Sequence, residues 1–228
     1  YYDPKDLSVI NSKVVASGFF IKFDYTKKKL FKILKKQKLE LEKSKFILIR
    51  QDPPFNMEYI IATHILDAIK TKVKIINDPT SIRNVSEKLY SVKYQRFMPS
   101  TIFSQDISEI KKFFKKHKKV ILKPINGYSG NNIYLLSRFN LKLIKKIIKK
   151  HDHIMCQKFL PKVNKGDKRV FIINGKVCGA ISRVPKKGSI LSNLSKGATP
   201  INTNLTIIEK KISNLIAEDL KRENIFFA

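Results

Sequence analysis

The chain has 228 residues, 43% of them apolar and 10% aromatic, which is enough to bury one full core or two smaller ones and excludes an intrinsically disordered segment. Its formal charge of +29 is carried largely by lysine doublets set among Ile, Leu and Phe at helical spacing, the pattern of solvated helix faces in a chain biased towards Lys, Ile and Asn. No aromatic RNA-binding strand, helix-turn-helix pattern or Cys/His finger accompanies the charge, so no nucleic-acid partner is expected.

Cys156 and Cys178 are the only cysteines and have no CxxC spacing, which excludes a disulfide framework and a zinc finger and fits a reducing, cytoplasmic setting. His151, His153 and Cys156 fall where a helix runs into a strand and read as incidental neighbours, not metal ligands. No stretch approaches the roughly 18 apolar residues of a membrane span, so a soluble protein without a membrane partner is expected. Tyr1 is not a start methionine, and residues 225–228 read as a strand cut short, so the chain is expected to be a fragment lacking both termini.

Residues 14–23 read as a weak strand, and the lysine-rich stretch 27–45 places leucines at roughly helical intervals. Residues 46–49 form a short strand, which the double proline of RQDPPF (50–55) cannot continue. A helix is predicted over 57–69 with Ile61, Ile65, Ala68 and Ile69 on one face. It is followed by a strand over 74–76, a turn at Asp78-Pro79 and a short helix carrying Glu87 and Lys88. Strand, helix and strand in that order predict a parallel, Rossmann-like half, with domains at 1–85 and 86–228.

After Met98-Pro99 the pattern becomes strand (101–103), helix (108–117), strand (120–123), glycine loop, strand (133–136), helix (141–150) and strand (154–159), an α+β unit. Residues 170–173 and 176–182 flank Asn174-Gly175, whose tolerance of positive φ predicts a type I′ hairpin.

The run VILKPINGYSG (120–130) is the most informative. A buried apolar strand ends in Lys123 and is stopped by Pro124, and an ammonium at the edge of a core needs an anion. Gly127, Tyr128, Ser129 and Gly130 follow as a pliable turn whose N–H groups can cradle phosphate oxygens. Strand, lysine and glycine loop together suggest a nucleoside triphosphate.

The ordered set RQDPPF, EKLY, ILKP with GYSG, QKFLP, GDKRV and SRVP resembles the prokaryotic glutathione synthetases of the ATP-grasp superfamily, along nearly the whole chain. The fold class this implies is α/β and α+β: a truncated Rossmann-like (preATP-grasp) N-terminal domain followed by an incomplete ATP-grasp domain. The resemblance implies ATP-dependent ligation of γ-glutamylcysteine with glycine through an acyl phosphate, giving glutathione, ADP and phosphate. It also implies a homo-oligomer, a tetramer in the family.

By the same resemblance, Lys88 and Lys123 hold the α- and β-phosphates, and the loop with Gly127, Tyr128, Ser129, Gly130 and Asn131 closes over the triphosphate. Gln157, Lys158, Phe159 and Leu160 match the segment whose main chain meets adenine, and Asp167 matches the nucleotide-site acid. Arg169 and Arg183 match the catalytic arginines, suited as guanidinium clamps to the charge that develops on phosphoryl transfer. Arg50 and Asp52 border the dipeptide cavity, and Asn193 and Gly197 belong to a second glycine-rich loop. That loop departs from the family: two glycines of its Gly-Asn-Leu-x-x-Gly-Gly form are replaced in 192–198, and a nearby arginine is absent. The family's Mg2+ (or Mn2+) ligands are expected beyond residue 228, since Glu209, Glu218, Asp219 and Glu223 belong to a helix and do not match. The chain alone is therefore expected to be inactive.

Other readings of the same residues stay open at this point. Asp167 and Arg169 alternate on one strand face and could form a plain surface ion pair. A two-residue hairpin pairs 169 with 180 and 166 with 183, which sets Arg183 on the face opposite Arg169 unless a bulge intervenes. The alternative functions are another ATP-grasp carboxylate-amine ligase and a basic nucleic-acid-binding module. The latter predicts affinity that falls steeply with salt.

Overall fold

A computed structural model describes residues 1–26, 28 and 30–228. The chain forms two compact units, Tyr1–Asn84 with Lys221–Phe227, and Val85–Leu220 with Ala228.

In the first unit β1 (Leu7–Ile10), β2 (Lys13–Phe23) and β3 (Phe31–Glu40) form an antiparallel sheet in that order. Residues 31–40 are thus a strand despite the helical spacing of the leucines. Phe31 pairs with Phe23, Ile33 with Ile21 and Leu39 with Ala16, and these cross-strand contacts outweigh the local period. Lys27, where that lysine-rich stretch begins, lies outside the described residues.

β4 (Phe46–Leu48) and β5 (Lys74–Ile76) pair in parallel on either side of α1 (Met57–Asp67), the expected strand-helix-strand unit. Asn56 caps α1, its Oδ1 accepting the Tyr59 N–H at 3.1 Å. The buried face is Ala62, Thr63 and Leu66, with Ile69 just past the helix, whereas Ile61 is exposed. A threonine can sit on that face because its hydroxyl donates to the Ile60 carbonyl at 2.7 Å and accepts from Arg83 at 3.0 Å. α2 (Pro79–Asn84) ends before Val85 and Ser86, both weak helix formers. Glu87 and Lys88 therefore sit in a turn ahead of a 3-10 segment, Leu89–Phe97, and not on a helix.

The second unit is built on an antiparallel sheet in the order β6-β9-β7-β8. Its strands are β6 (Thr101–Ser104), β7 (Val120–Pro124), β8 (Tyr134–Leu136) and β9 (Ile154–Lys158). Helices α3 (Ile107–His117) and α4 (Leu141–His151) start at caps Asp106 and Asn140 and carry Ile110, Phe113, Ile144 and Ile147 into the core. There they pack with Val120, Leu122, Leu136, Ile154 and Cys156. Strand alternation then turns Ile121, Lys123, Met155 and Gln157 to the opposite face. β7 continues through Lys123 to Pro124, opposite Ile154, so the lysine lies within the strand. A proline at the last position leaves the rest of the ladder intact.

β10 (Asp167–Ile173), β11 (Lys176–Val184) and β12 (Thr199–Asn202) make a further antiparallel sheet. The hairpin turns at Asn174 (φ 49°) and Gly175 (φ 75°), as the dipeptide predicts. Its register shifts between Phe171 and Ile172: Ile172 faces Val177 but Phe171 faces Gly179, so Cys178 is the extra residue of a bulge. Helix α5 (Ile207–Arg222) carries Asp219, whose carboxylate accepts the Tyr94 hydroxyl at 2.7 Å. Residues 225–228 form no continuous strand, although Ala228 exchanges two backbone hydrogen bonds with Ile172. Among the described residues no helix is long and apolar enough to cross a membrane.

Candidate active site

Lys123 lies on the sheet face turned away from α3 and α4. It stands opposite Met155, and Ile121 opposite Gln157, which makes Gln157 its diagonal neighbour on the same face. Its Nζ donates to Gln157 Oε1 at 3.0 Å. Gln157 Nε2 in turn donates at 3.0 Å to Thr101 Oγ1, directly across β6 and β9. Burial pushes the Lys123 ammonium below its ordinary pKa, Lys88 adds to that push, and Asp167 opposes it. An anion arriving here would relieve both costs.

Lys88 reaches the glycine loop. Its Nζ donates to the Gly127 carbonyl at 2.5 Å and lies 3.5 Å from the Glu87 carboxylate, with only 14% of the side chain exposed. The loop is closed by Gly127 N–H to the Pro124 carbonyl (3.1 Å) and Asn131 N–H to the Tyr128 carbonyl (2.9 Å). Ser129, Gly130 and Asn132 all hold positive φ. At Gly130 a Cβ would fall 2.6 Å from Asn193 Oδ1, so glycine is what lets Asn193 lie against the loop. The loop also borders a cavity of about 300 Å³ lined by Pro124, Gly127, Tyr128, Asn131, Lys150 and Asp152.

The hairpin supplies the remaining charges. The Cys178 bulge brings Arg183 opposite Asp167, where it forms a two-pronged ion pair: Nε to Oδ1 at 2.8 Å and Nη2 to Oδ2 at 2.7 Å. Arg169, two residues along from Asp167, shares that face. Burial lowers the Arg169 pKa, Arg183 lowers it further, and Asp167 and Glu87 oppose the change. The surface pair considered for Asp167 thus forms with Arg183 and not with Arg169. Four cations (Lys88, Lys123, Arg169 and Arg183) share one electrostatic neighbourhood with two carboxylates, Glu87 and Asp167. That excess of positive charge beside a positive-φ loop can hold a polyphosphate and stabilise an oxyanion.

Other expected site residues stand nearby in the chain or apart. The N–H groups of Lys158 and Phe159 are spent on the Ser100 and Lys119 carbonyls, at 2.9 and 3.1 Å. The Phe159 ring carries the Lys119 ammonium 4.5 Å from its centroid, and Leu160 is exposed. Gly197 (φ 83°) has Lys186 folded over it, so a Cβ would lie 2.6 Å from the ammonium nitrogen. Arg50 and Asp52 belong to the first unit, where Arg50 lies over the Phe227 ring at 5.8 Å. Among the described residues no group of three or more His, Cys, Asp or Glu side chains gathers to hold a metal. Sequence reasoning gave no role to Thr101, Glu87 or Lys186. Thr101 and Gln157 are 56 positions apart, and only strand pairing brings them together.

Residues 1–83 match the family model for the prokaryotic glutathione synthetase N-terminal domain, and residues 87–228 that for the prokaryotic glutathione synthetase ATP-grasp domain. A glutathione synthetase of Bradyrhizobium diazoefficiens is 32% identical over 231 residues, covering 100% of this chain and 74% of the relative. One from Agrobacterium fabrum is 32% identical over 233 residues, covering 100% and 72%. Among solved structures, D-alanyl-alanine synthetase A of Vibrio cholerae superposes with a TM-score of 0.57 at 15% identity, over 96% of this chain and 69% of that one. The ATP-grasp ligase PsnB, complexed with Mg and ADP, gives 0.55 at 14% identity over 75% of this chain, which spans about half (53%) of its length. The structural matches establish the fold and the sequence matches the lineage: the chain belongs to the prokaryotic glutathione synthetases and is an ATP-dependent ligase of the ATP-grasp fold.

Proposed function

We propose that, in the ATP-dependent synthesis of glutathione from γ-glutamylcysteine and glycine, Lys88 and Lys123 hold the α- and β-phosphates of ATP while the loop with Gly127, Tyr128, Ser129, Gly130 and Asn131 covers the triphosphate. The adenine edge meets the main chain of 157–160, where among the described residues the Leu160 N–H has no backbone acceptor. Arg169 and Arg183 stabilise the charge that builds as the γ-phosphoryl group moves to the dipeptide carboxylate, with Asp167 orienting Arg183. The glycine amine then attacks the acyl phosphate, the C–O bond to phosphate breaks, and inorganic phosphate leaves as the nitrogen loses a proton. Arg50 and Asp52 border the dipeptide site, and Asn193 and Gly197 form the second loop over it.

The observation that carries this reading is the crowding of Lys88 on Lys123 and of Arg183 on Arg169 around Asp167, with Lys88 bonded to the glycine loop. Mg2+, or Mn2+, would travel with the ATP. The two carboxylates nearest the lysines, Glu87 and Asp167, are already paired with Lys88 and Arg183, so they do not form the oxygen cage such an ion requires. We place the working boundary between residues 85 and 86, and the protein in the cytoplasm as a homo-oligomer, a tetramer by family resemblance.

The test is ADP release by the intact protein across a panel of carboxylate and amine pairs. γ-Glutamylcysteine with glycine should be the preferred pair. Faster turnover with D-alanine or an α-amino acid tail would overturn the substrate assignment while leaving the nucleotide site in place.

A further inference from the structure

The proton on Thr101 settles how Lys123 is held. Thr101 Oγ1 donates to the Pro99 carbonyl at 2.7 Å, so towards Gln157 it can only accept. The Gln157 amide must then offer its NH2 to Thr101, which leaves its carbonyl oxygen for the Lys123 ammonium. An amide turned the other way would set NH2 against ammonium, and a carbonyl against an oxygen with no proton to give.

We propose that Thr101 and Gln157 are positioning residues for Lys123, a polarised relay that keeps its ammonium charged and aimed before the nucleotide arrives. This deepens the reading of Lys123 as a phosphate ligand and rests on it.

The surrounding charges do not supply this alone. On the strands flanking β7, β8 carries no carboxylate or ammonium, and β9 offers Gln157 with Lys158 next to it. Burial and Lys88 both disfavour the charged form of Lys123. Asp167 favours it, but is already bound by Arg183. The end of α4 brings Lys150, His151 and Asp152 to the cavity beside Pro124, one residue further on. Among the described residues the acceptor bonded directly to the ammonium is a neutral amide, and its direction depends on a threonine from another strand.

Competitive acetylation of the nucleotide-free protein, read by mass spectrometry at the Lys123 peptide across pH, gives the protonation midpoint. Affinity for a nonhydrolysable ATP analogue is measured in parallel. Thr101→Val keeps the shape and removes the acceptor, Thr101→Ser keeps the acceptor, and Gln157→Leu removes the amide. Thr101→Val and Gln157→Leu should each lower the midpoint by about one pH unit and, at a pH above the parent's measured midpoint, weaken analogue binding by up to about tenfold, with Thr101→Ser behaving as the parent. A midpoint that stays put in both variants sinks the relay. A midpoint that falls with no change in analogue affinity upholds the relay and removes Lys123 from the phosphate site, so the two ideas fail separately.

Discussion

Asp167 and Arg183 meet across the β10–β11 hairpin in a parallel pair of hydrogen bonds, 2.8 and 2.7 Å, with the guanidinium largely covered (13% exposed) and the carboxylate still open to water (46%). The planar fork is held in one orientation, with its remaining N–H groups left for a ligand. An ammonium cannot do this. Arg183→Lys should therefore lower kcat for ADP release by about 100-fold or more, with a smaller effect on the KM for ATP. Asp167→Asn should lower it about tenfold, since the arginine remains but is less firmly aimed. Equal and slight effects from both substitutions would show the pair to be only a surface ion pair.

Lys123 is costly where it stands: half-buried, pushed below its ordinary pKa, and hydrogen-bonded to an amide, with no carboxylate in direct contact among the described residues. Lys123→Met should therefore leave the unfolding free energy in urea within about 1 kcal/mol of the parent's, or raise it, while weakening ATP-analogue binding about 100-fold. A lysine kept for structure would give the reverse pattern, lost stability with affinity retained.

Asp67 carries a pH dependence in the first unit. Burial pushes its carboxyl up, yet hydrogen bonds from Arg83, Lys70 and Thr80 together hold it below the usual carboxylate value. A folded pKa below the unfolded one, about 3.9, means the contribution is fully present above that value and lost as pH falls through the folded one. Asp67→Asn should cost about 2 kcal/mol in urea unfolding at neutral pH, and the gap between variant and parent should narrow below about pH 4. A gap that stays constant down to pH 3 would exclude the ionised Asp67 as its source.

The two thiols should behave differently. Cys156 is fully buried in the β9 core and its thiol is pushed up to about 12 by burial, whereas Cys178 is exposed on the hairpin bulge. A chromogenic disulfide reagent near pH 8 should titrate one thiol per native chain and two after denaturation. Rapid reaction of both in the native protein would contradict the packing of the β6-β9-β7-β8 sheet.

Strong local signals were legible in the residues. The alternation of Ile and Lys in 141–150 yields a helix that buries Ile144 and Ile147, and Asn174-Gly175 yields the hairpin turn. The arithmetic of that hairpin required an extra residue to bring Arg183 and Arg169 to one face, and Cys178 is that residue. Composition could not have said which one. Strand β3 was not legible because its face is mostly exposed, so no apolar-polar alternation marks it; its partners on β2 decide its form. The buried face of α1 fell one position from the expected stripe because Thr63 is satisfied by Arg83, twenty residues on. Thr101 was invisible for the same reason: its role depends on a glutamine that only the sheet register brings near.

The Cys178 bulge makes the charged face of the hairpin a matter of counting. A serine or alanine in its place would change a side chain that already faces water, and the guanidinium of Arg183 would stay where it is. Deleting position 178 would keep every charged group of the hairpin and flip Arg183 to the far side of the ribbon, away from Asp167 and Arg169. What the chain must preserve there is an odd residue in the tally, whatever its chemistry.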